Sequence, residues 1–137
     1  MPEGFIKGTI GLAGPYDFYP FTSDSTRAAF GSAREPELTQ PVHFARADAP
    51  PLLLLHGTAD TTVKPRNSLA LAKAMTAAGA PTRAVLLEGM SHEAIVMKLA
   101  APFSRDRRVL DAVLGFLAAQ EARRQPAASA PVQAPGT

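Results

Sequence analysis

The chain has 137 residues, of which 46% are hydrophobic and 19% charged, and it carries a formal net charge of +2 with no cysteine. This balance is typical of a single globular domain with its own core and excludes a chain that is disordered throughout. The lack of cysteine excludes disulfides, thiolate metal sites and a cysteine nucleophile within these residues. No apolar run reaches the ~18 residues of a membrane-spanning helix, so no transmembrane segment is predicted.

Charge and the N-terminal residues say little about location and partners. Residues 1–8 contain no apolar leader segment, which favours a cytoplasmic location if the protein begins at Met1, and otherwise the compartment stays open. Basic residues gather near the C-terminus at Arg105, Arg107, Arg108, Arg123 and Arg124. Such a cluster is typical of a solvated helix face, and no nucleic-acid partner is predicted.

The first half of the chain predicts one strand and few other regular elements. Residues 5–12 form an apolar segment of strand length that ends at the turn Gly14-Pro15. Prolines interrupt residues 15–50 repeatedly, and only Ser25–Phe30 favours a short helix.

The second half predicts strands and helices in alternation. The apolar run at residues 51–56 is typical of a strand buried on both faces, as in a parallel sheet. A helix is predicted from Pro65 to Ala78, a second strand at residues 82–87 and an amphipathic helix at residues 104–121. The apolar face of this last helix is expected at Val109, Leu110, Val113, Leu114 and Leu117.

Strands that alternate with helices predict right-handed crossovers and therefore a parallel sheet in an α/β fold. We expect residues 1–121 to be a portion of one such domain. Residues 122–137 are rich in proline, alanine and serine and lack apolar periodicity, so a disordered tail is predicted there.

Two loops that follow predicted strands carry the residues with chemistry. In open parallel sheets, active groups lie in loops at the carboxyl ends of strands. Asp60 follows the first of these strands, and His92 follows the second. One helix separates the two strands, so they should be neighbours and Asp60 should face His92. A carboxylate that accepts a hydrogen bond from one imidazole nitrogen leaves the other nitrogen free to take a proton from a nucleophile.

Each of these residues also has a structural interpretation. Alone, Asp60 is more typical of local hydrogen bonding near a helix start, whereas His92 is equally typical of a surface histidine and of a catalyst. His56 is interpreted as structural, bonding the loop that positions Asp60, and His43 as a packing or surface residue. Glu93 is expected to face solvent in the first turn of a short helix. No histidine, aspartate or glutamate cluster has metal-ligand spacing, so no metal and no cofactor are predicted.

Three segments resemble the α/β-hydrolase superfamily, over roughly residues 4–120. Residues 52–63 (LLLLHGTADTTV) resemble its strand-plus-acid segment, and residues 89–92 (GMSH) resemble its catalytic-histidine loop. Residues 11–18 (GLAGPYDF) are similar to the strand-end loop that follows the nucleophile helix in carboxylesterase and feruloyl-esterase-like members. The family order of nucleophile, acid and base agrees with Asp60 preceding His92.

The resemblance implies a partial α/β-hydrolase fold, with the C-terminal strands of a parallel sheet and flanking helices. It implies that Asp60 orients His92 and that His92 is the general base of a carboxylic-ester hydrolase, acting on a small-molecule ester in the intact enzyme. Asp17 is expected to cap the turn after Pro15. A substrate-pocket role for Tyr16 or Phe18 is the less favoured expectation.

The sequence departs from the family at the nucleophile. No serine has the flanking glycines of a Gly-x-Ser-x-Gly elbow, and no oxyanion-hole loop of the His-Gly-Gly type is present. We therefore predict the C-terminal portion of a serine hydrolase, inactive as an isolated chain. The alternative is a non-catalytic hydrolase-like protein that acts, if at all, by binding or association, and the missing elbow is its main support. A bare sheet edge at residues 5–12 would favour self-association of the chain.

Overall fold

The computed structural model describes residues 5–99 and 105–124. Three strands, β1 (Thr9–Leu12), β2 (Leu52–Gly57) and β3 (Thr82–Leu87), form a parallel sheet in the order β1-β2-β3. The predicted parallel sheet is confirmed, and β2 and β3 are neighbours as expected. Their carboxyl ends therefore lie at the same edge of the sheet.

The helices are α1 (Asp24–Phe30), α2 (Arg66–Ala77), α3 (His92–Met97) and α4 (Arg108–Arg124), and two short 3-10 helices cover Pro36–Thr39 and Pro41–Phe44. Local chemistry sets several of their ends. Ser23 caps α1 and Ser91 caps α3, each side-chain oxygen accepting a backbone N–H of the first turn. Gly79, with a φ of 91°, follows the end of α2. Within the described residues, no helix has both the length and the apolar character needed to cross a membrane.

β1 is shorter than the predicted strand at residues 5–12. Its pairing begins where Thr9 N donates to Pro51 O, at 2.8 Å. Pro50 and Pro51 have no N–H groups, so the segment before β2 cannot continue the ladder towards residues 5–8.

β2 is the centre of the core, and all six of its residues are buried. Alternate side chains point to opposite faces of the sheet. Leu53 and Leu55 pack on one face with buried residues of the β3–α3 region and α4, namely Leu87, Met90, Ile95 and Val109. Leu52 and Leu54 pack on the other face with Leu71, Met75 and Ala80. The apolar run thus forms a strand buried on both faces, as predicted.

α4 buries only part of its predicted apolar face. Val109 is fully buried, and Ala112, Val113 and Phe116 pack beside it, whereas Leu114 and Leu117 are 48% and 51% exposed. The helix is apolar on two adjoining faces, and contact with the sheet selects the one that carries Phe116. α4 also extends to Arg124, so residues 122–124 of the predicted tail are helical, while residues 125–137 lie outside the described residues.

Candidate active site

The loops after β2 and β3 lie side by side and bond to each other. Thr58 N donates to Leu87 O at 3.0 Å, and Ala59 N donates to Met90 O at 3.1 Å. Gly57 permits this approach, because a Cβ at that position would collide with the carbonyl oxygen of Met90. The loop that carries Asp60 is thereby held against the loop that leads to His92.

Asp60 and His92 meet at this edge of the sheet. His92 Nδ1 lies 2.8 Å from Asp60 Oδ2, although the residues are 32 positions apart in the chain. The Asp60 side chain is 0% exposed, and that of His92 is 34% exposed. Since Nδ1 donates to the carboxylate, Nε2 is the ring nitrogen that remains for another partner, and it bonds to no other described residue.

The second oxygen of Asp60 is held by its own loop. Asp60 Oδ1 accepts from Thr62 N at 2.9 Å and from Val63 N at 2.8 Å. Burial acts to raise the pKa of this carboxyl, but the hydrogen bonds from His92, Val63 and Thr62 outweigh it and the pKa lies below its usual value. The local hydrogen bonding expected of a loop aspartate and the contact with His92 therefore coexist in one side chain.

His56 is fully buried behind Asp60, and both of its ring nitrogens have partners. Nε2 lies 2.8 Å from Val63 O and 3.2 Å from Asp60 Oδ2, and Nδ1 lies 2.7 Å from Ser68 Oγ. The contact with Val63 is the structural role predicted for His56. The partner Ser68 was missed, because the sequence identifies it only as a residue within a helix.

Arg108 connects α4 to the histidine loop, a contact that the sequence analysis also missed. Its guanidinium donates to Glu88 O at 2.9 Å and forms a salt bridge with Asp106 at 2.8 Å. The hydrogen bonds from Arg108 hold the pKa of Asp106 at about 2. In the same loop Gly89 has a φ of 70°, and its N–H donates to Thr58 Oγ1 at 2.9 Å.

Two buried amides hold the loop that follows β1. Asn67 Oδ1 accepts from Tyr16 N and Asp17 N, at 3.1 and 2.8 Å. Gln40 Oε1 accepts from Phe18 N and Tyr19 N, at 2.6 and 3.0 Å. The Asp17 carboxylate, which was expected to cap a turn, lies instead 3.5 Å from Arg66 Nη1.

A cavity of about 680 Å³ opens between this loop and the Asp60 loop. Phe18 and Phe30 line one side, and Thr62, Val63 and Lys64 line the other. Since Thr62 and Val63 also donate to Asp60, the cavity wall and the support of the carboxylate are one segment.

The serines of the described ranges have other partners or lie elsewhere. Ser68 bonds to His56, and Ser91 caps α3 and donates to Glu93. None of the described serines hydrogen-bonds to His92. Ser104 and Ser129 lie outside the described residues. Among the residues described, no group of three histidine, aspartate or glutamate side chains could hold a metal ion.

Comparison with known proteins identifies a family that the chain matches. The model of the prolyl oligopeptidase family matches residues 16–121, more than half of the chain. No curated protein sequence matches the chain.

Several solved esterases share the fold, and the likeness at these identities concerns the fold alone. Thermogutta terrifontis esterase 2, phosphoramylated by tabun, is 24% identical with a TM-score of 0.60, over 85% of this chain and 41% of that one. A truncated carbohydrate esterase from gut microbiota is 20% identical with a TM-score of 0.62, over 85% and 43%. The carboxylesterase Cest-2923 from Lactobacillus plantarum WCFS1 is 18% identical with a TM-score of 0.65, over 85% and 45%.

The chain thus spans less than half the length of these structures. Its three parallel strands and flanking helices are part of an α/β-hydrolase fold. The family match over residues 16–121 and this shared fold lead to one conclusion: the chain belongs to the prolyl oligopeptidase family.

Proposed function

We propose that Asp60 and His92 are the acid and the base of a serine hydrolase that cleaves carboxylic esters. The observation that carries this proposal is the 2.8 Å contact between Asp60 Oδ2 and His92 Nδ1, which leaves Nε2 of a partly exposed imidazole available. The hydrogen bonds from His92, Val63 and Thr62 outweigh the effect of burial and keep the pKa of Asp60 low, so its carboxylate can orient the ring and stabilise the imidazolium that forms during the reaction.

The reaction follows from this geometry once a serine hydroxyl reaches His92 Nε2. His92 takes the hydroxyl proton while the oxygen attacks the ester carbonyl, and the tetrahedral intermediate then expels the alcohol, which receives the proton from His92. Water attacks the acyl-serine while His92 takes its proton, and the acid leaves as His92 returns that proton to the serine oxygen. None of the described serines is placed for the first step. No serine of the sequence has the flanking glycines of the elbow, so in this proposal the nucleophile lies outside the 137 residues.

Esters are the favoured substrate class because the solved structures that share the fold are named esterases. The family name points to peptides instead, and both substrates pass through the same acyl-serine chemistry. The cavity beside the Asp60 loop is of a size that holds a small ligand.

The test uses a fluorophosphonate, which labels activated serines covalently. The coding DNA upstream of Met1 is read for an in-frame Gly-x-Ser-x-Gly segment, and the chain that contains it is labelled alongside residues 1–137. We expect label on the elbow serine, its loss in His92→Ala and its retention in the exposed control His43→Ala. Label on the elbow serine that persists in His92→Ala would contradict the role of His92, and His92-dependent label within residues 1–137 would contradict the missing nucleophile.

A second candidate function is association without catalysis. Within the described residues β1 hydrogen-bonds only to β2, so its other edge presents unpaired backbone groups. An apolar cavity of about 610 Å³ lies beside that edge, lined in part by Ile6, Ile10 and Phe44. Light scattering after size-exclusion chromatography tests this candidate: a dimer or larger species that dissociates in Ile10→Lys supports it, and a monomer at all concentrations opposes it.

A further inference from the structure

The proposed chemistry does not use His56, yet its side chain is completely buried beside the site. It is 0% exposed, lies at the end of β2 and precedes Asp60 by four positions. A buried imidazole with a hydrogen bond at each nitrogen is held in one orientation. The arrangement of its protons can be deduced from the chemistry of its partners.

The first proton lies on Nε2. The partner of this nitrogen at 2.8 Å is the carbonyl oxygen of Val63, which can only accept a hydrogen bond. Nε2 therefore carries hydrogen and donates to Val63. Asp60 Oδ2 lies 3.2 Å from the same nitrogen, so the N–H dipole also interacts with the Asp60 carboxylate.

The second proton is the hydroxyl proton of Ser68, which faces His56 Nδ1. Its hydroxyl lies 2.7 Å from His56 Nδ1 and has no other partner among the described residues. A neutral ring with hydrogen on Nε2 offers a lone pair at Nδ1, so the hydroxyl donates there and every polar atom is satisfied. A ring with hydrogen on both nitrogens would leave the buried hydroxyl proton without an acceptor, which is costly.

These bonds form one series that leads to the proposed catalytic pair. Ser68 on α2 donates to His56, His56 donates to Val63 O, and Val63 N donates to Asp60 Oδ1. With Oδ1 occupied in this way, Oδ2 is the oxygen presented to His92. Removing His56 would release the carbonyl of Val63 and let the Asp60 loop and its carboxylate rotate.

We propose that His56, fixed by Ser68 as the tautomer with hydrogen on Nε2, is a positioning residue that holds the Asp60 loop so that Oδ2 faces His92. The catalytic importance of His56 rests on the proposed function, whereas the effect of His56 on the Asp60–His92 contact does not. The two can therefore be tested separately.

The experiment is NMR on the full chain with labelled histidine and aspartate. Nitrogen chemical shifts of His56 report its tautomer, exchange of the His92 Nδ1 proton with water reports the contact with Asp60, and titration of the Asp60 carboxyl carbon reports its hydrogen bonding. The variants are Ser68→Ala, His56→Leu and His56→Gln, which keeps a donor near the place of Nε2. Ser32→Ala and His43→Gln alter exposed residues and are the matched controls.

We expect neutral His56 with hydrogen on Nε2 in the wild type. In His56→Leu and Ser68→Ala the His92 Nδ1 proton should exchange roughly 3- to 10-fold faster, as expected for the loss of one buried hydrogen bond. The Asp60 titration should move to higher pH in His56→Leu and return towards wild type in His56→Gln. A purely structural role would lower stability without this rescue.

Two results would overturn the proposal. One is a His56 ring that is cationic or carries its hydrogen on Nδ1 near neutral pH. The other is unchanged proton exchange at His92 in Ser68→Ala, which removes a single oxygen and decides the matter even where His56→Leu does not fold. No readout depends on turnover, so a chain with these signals and no hydrolase activity in its complete form would count against the proposed function only.

Discussion

Gly57 at the end of β2 lies against the carbonyl oxygen of Met90, closer than any side chain would allow. The contact joins the loop that carries Asp60 to the loop that leads to His92, and two hydrogen bonds to Leu87 O and Met90 O continue it. The position of the proposed catalytic pair therefore depends on a residue that has no side chain.

Gly57→Ala should destabilise the fold and separate the two loops. The added methyl group meets backbone that cannot move without breaking the bond from Ala59 N, so we expect a loss of about 1–3 kcal/mol in the free energy of unfolding. Gly115→Ala in α4 is the control, because a Cβ there meets nothing within 4 Å. Alanine should stabilise that helix by about 0.5–1 kcal/mol. Urea denaturation measures both, and an unchanged midpoint for Gly57→Ala would show that the loops tolerate separation.

Asp60→Asn should lower stability at neutral pH and lose its effect in acid. The pKa of the folded carboxyl lies below the usual 3.8, so the ionised group contributes stability above 3.8 that is lost as pH falls through the folded pKa. We expect a cost of about 1.5–3 kcal/mol near pH 7, since charge-assisted hydrogen bonds are replaced. The difference between variant and wild type should shrink below 3.8.

Unfolding curves at a series of pH values test this prediction. Asp48→Asn is the control, because the Asp48 side chain is 83% exposed and, in the described part of the chain, pairs only with exposed Arg46. A stability difference for Asp60→Asn that stays constant down to the lowest pH would mean that the folded carboxyl does not have a lowered pKa.

Arg108→Ala should loosen the histidine loop without unfolding the chain. The substitution removes the hydrogen bond from α4 to Glu88 O, so the neighbouring Gly89 N–H should exchange with solvent several-fold faster, as expected for about 0.5–1.5 kcal/mol. Arg107→Ala is the matched control, since among the described residues the side chain of Arg107, which directly precedes α4, pairs only with exposed Asp111. Hydrogen exchange resolved by residue gives the comparison, and equal rates at Gly89 in both variants would refute the role of Arg108.

Leu54→Ala should be among the most damaging substitutions in the sheet. Leu54 is 0% exposed at the centre of β2, and truncation of such a side chain typically costs about 2–5 kcal/mol. Leu117→Ala in α4 is the control, because Leu117 is 51% exposed and alanine is a strong helix former. Thermal denaturation of both variants measures the difference. A large loss for Leu117→Ala would indicate that this face of α4 is covered in the protein.

Strand β2, helix α2 and strand β3 could be predicted closely from the sequence. Each has a strong local cause. β2 is a continuous apolar run, α2 begins after a proline and ends before a glycine, and β3 is a second segment of strand length. The meeting of Asp60 with His92 followed from these elements, because consecutive parallel strands joined by one helix place their carboxyl ends together. Predicting this contact requires no knowledge of side-chain packing.

Only the tertiary structure decided which polar groups support the pair and which face of α4 is buried. The bonds from Ser68 to His56, from Arg108 to Glu88 and from Asn67 to the loop after β1 join residues on different elements. Hydrogen bonds of this kind depend on ångström-scale distances that no sequence periodicity encodes. α4 offers two apolar faces of similar character, and the shape of the sheet surface beside Val109 and Phe116 selected one of them.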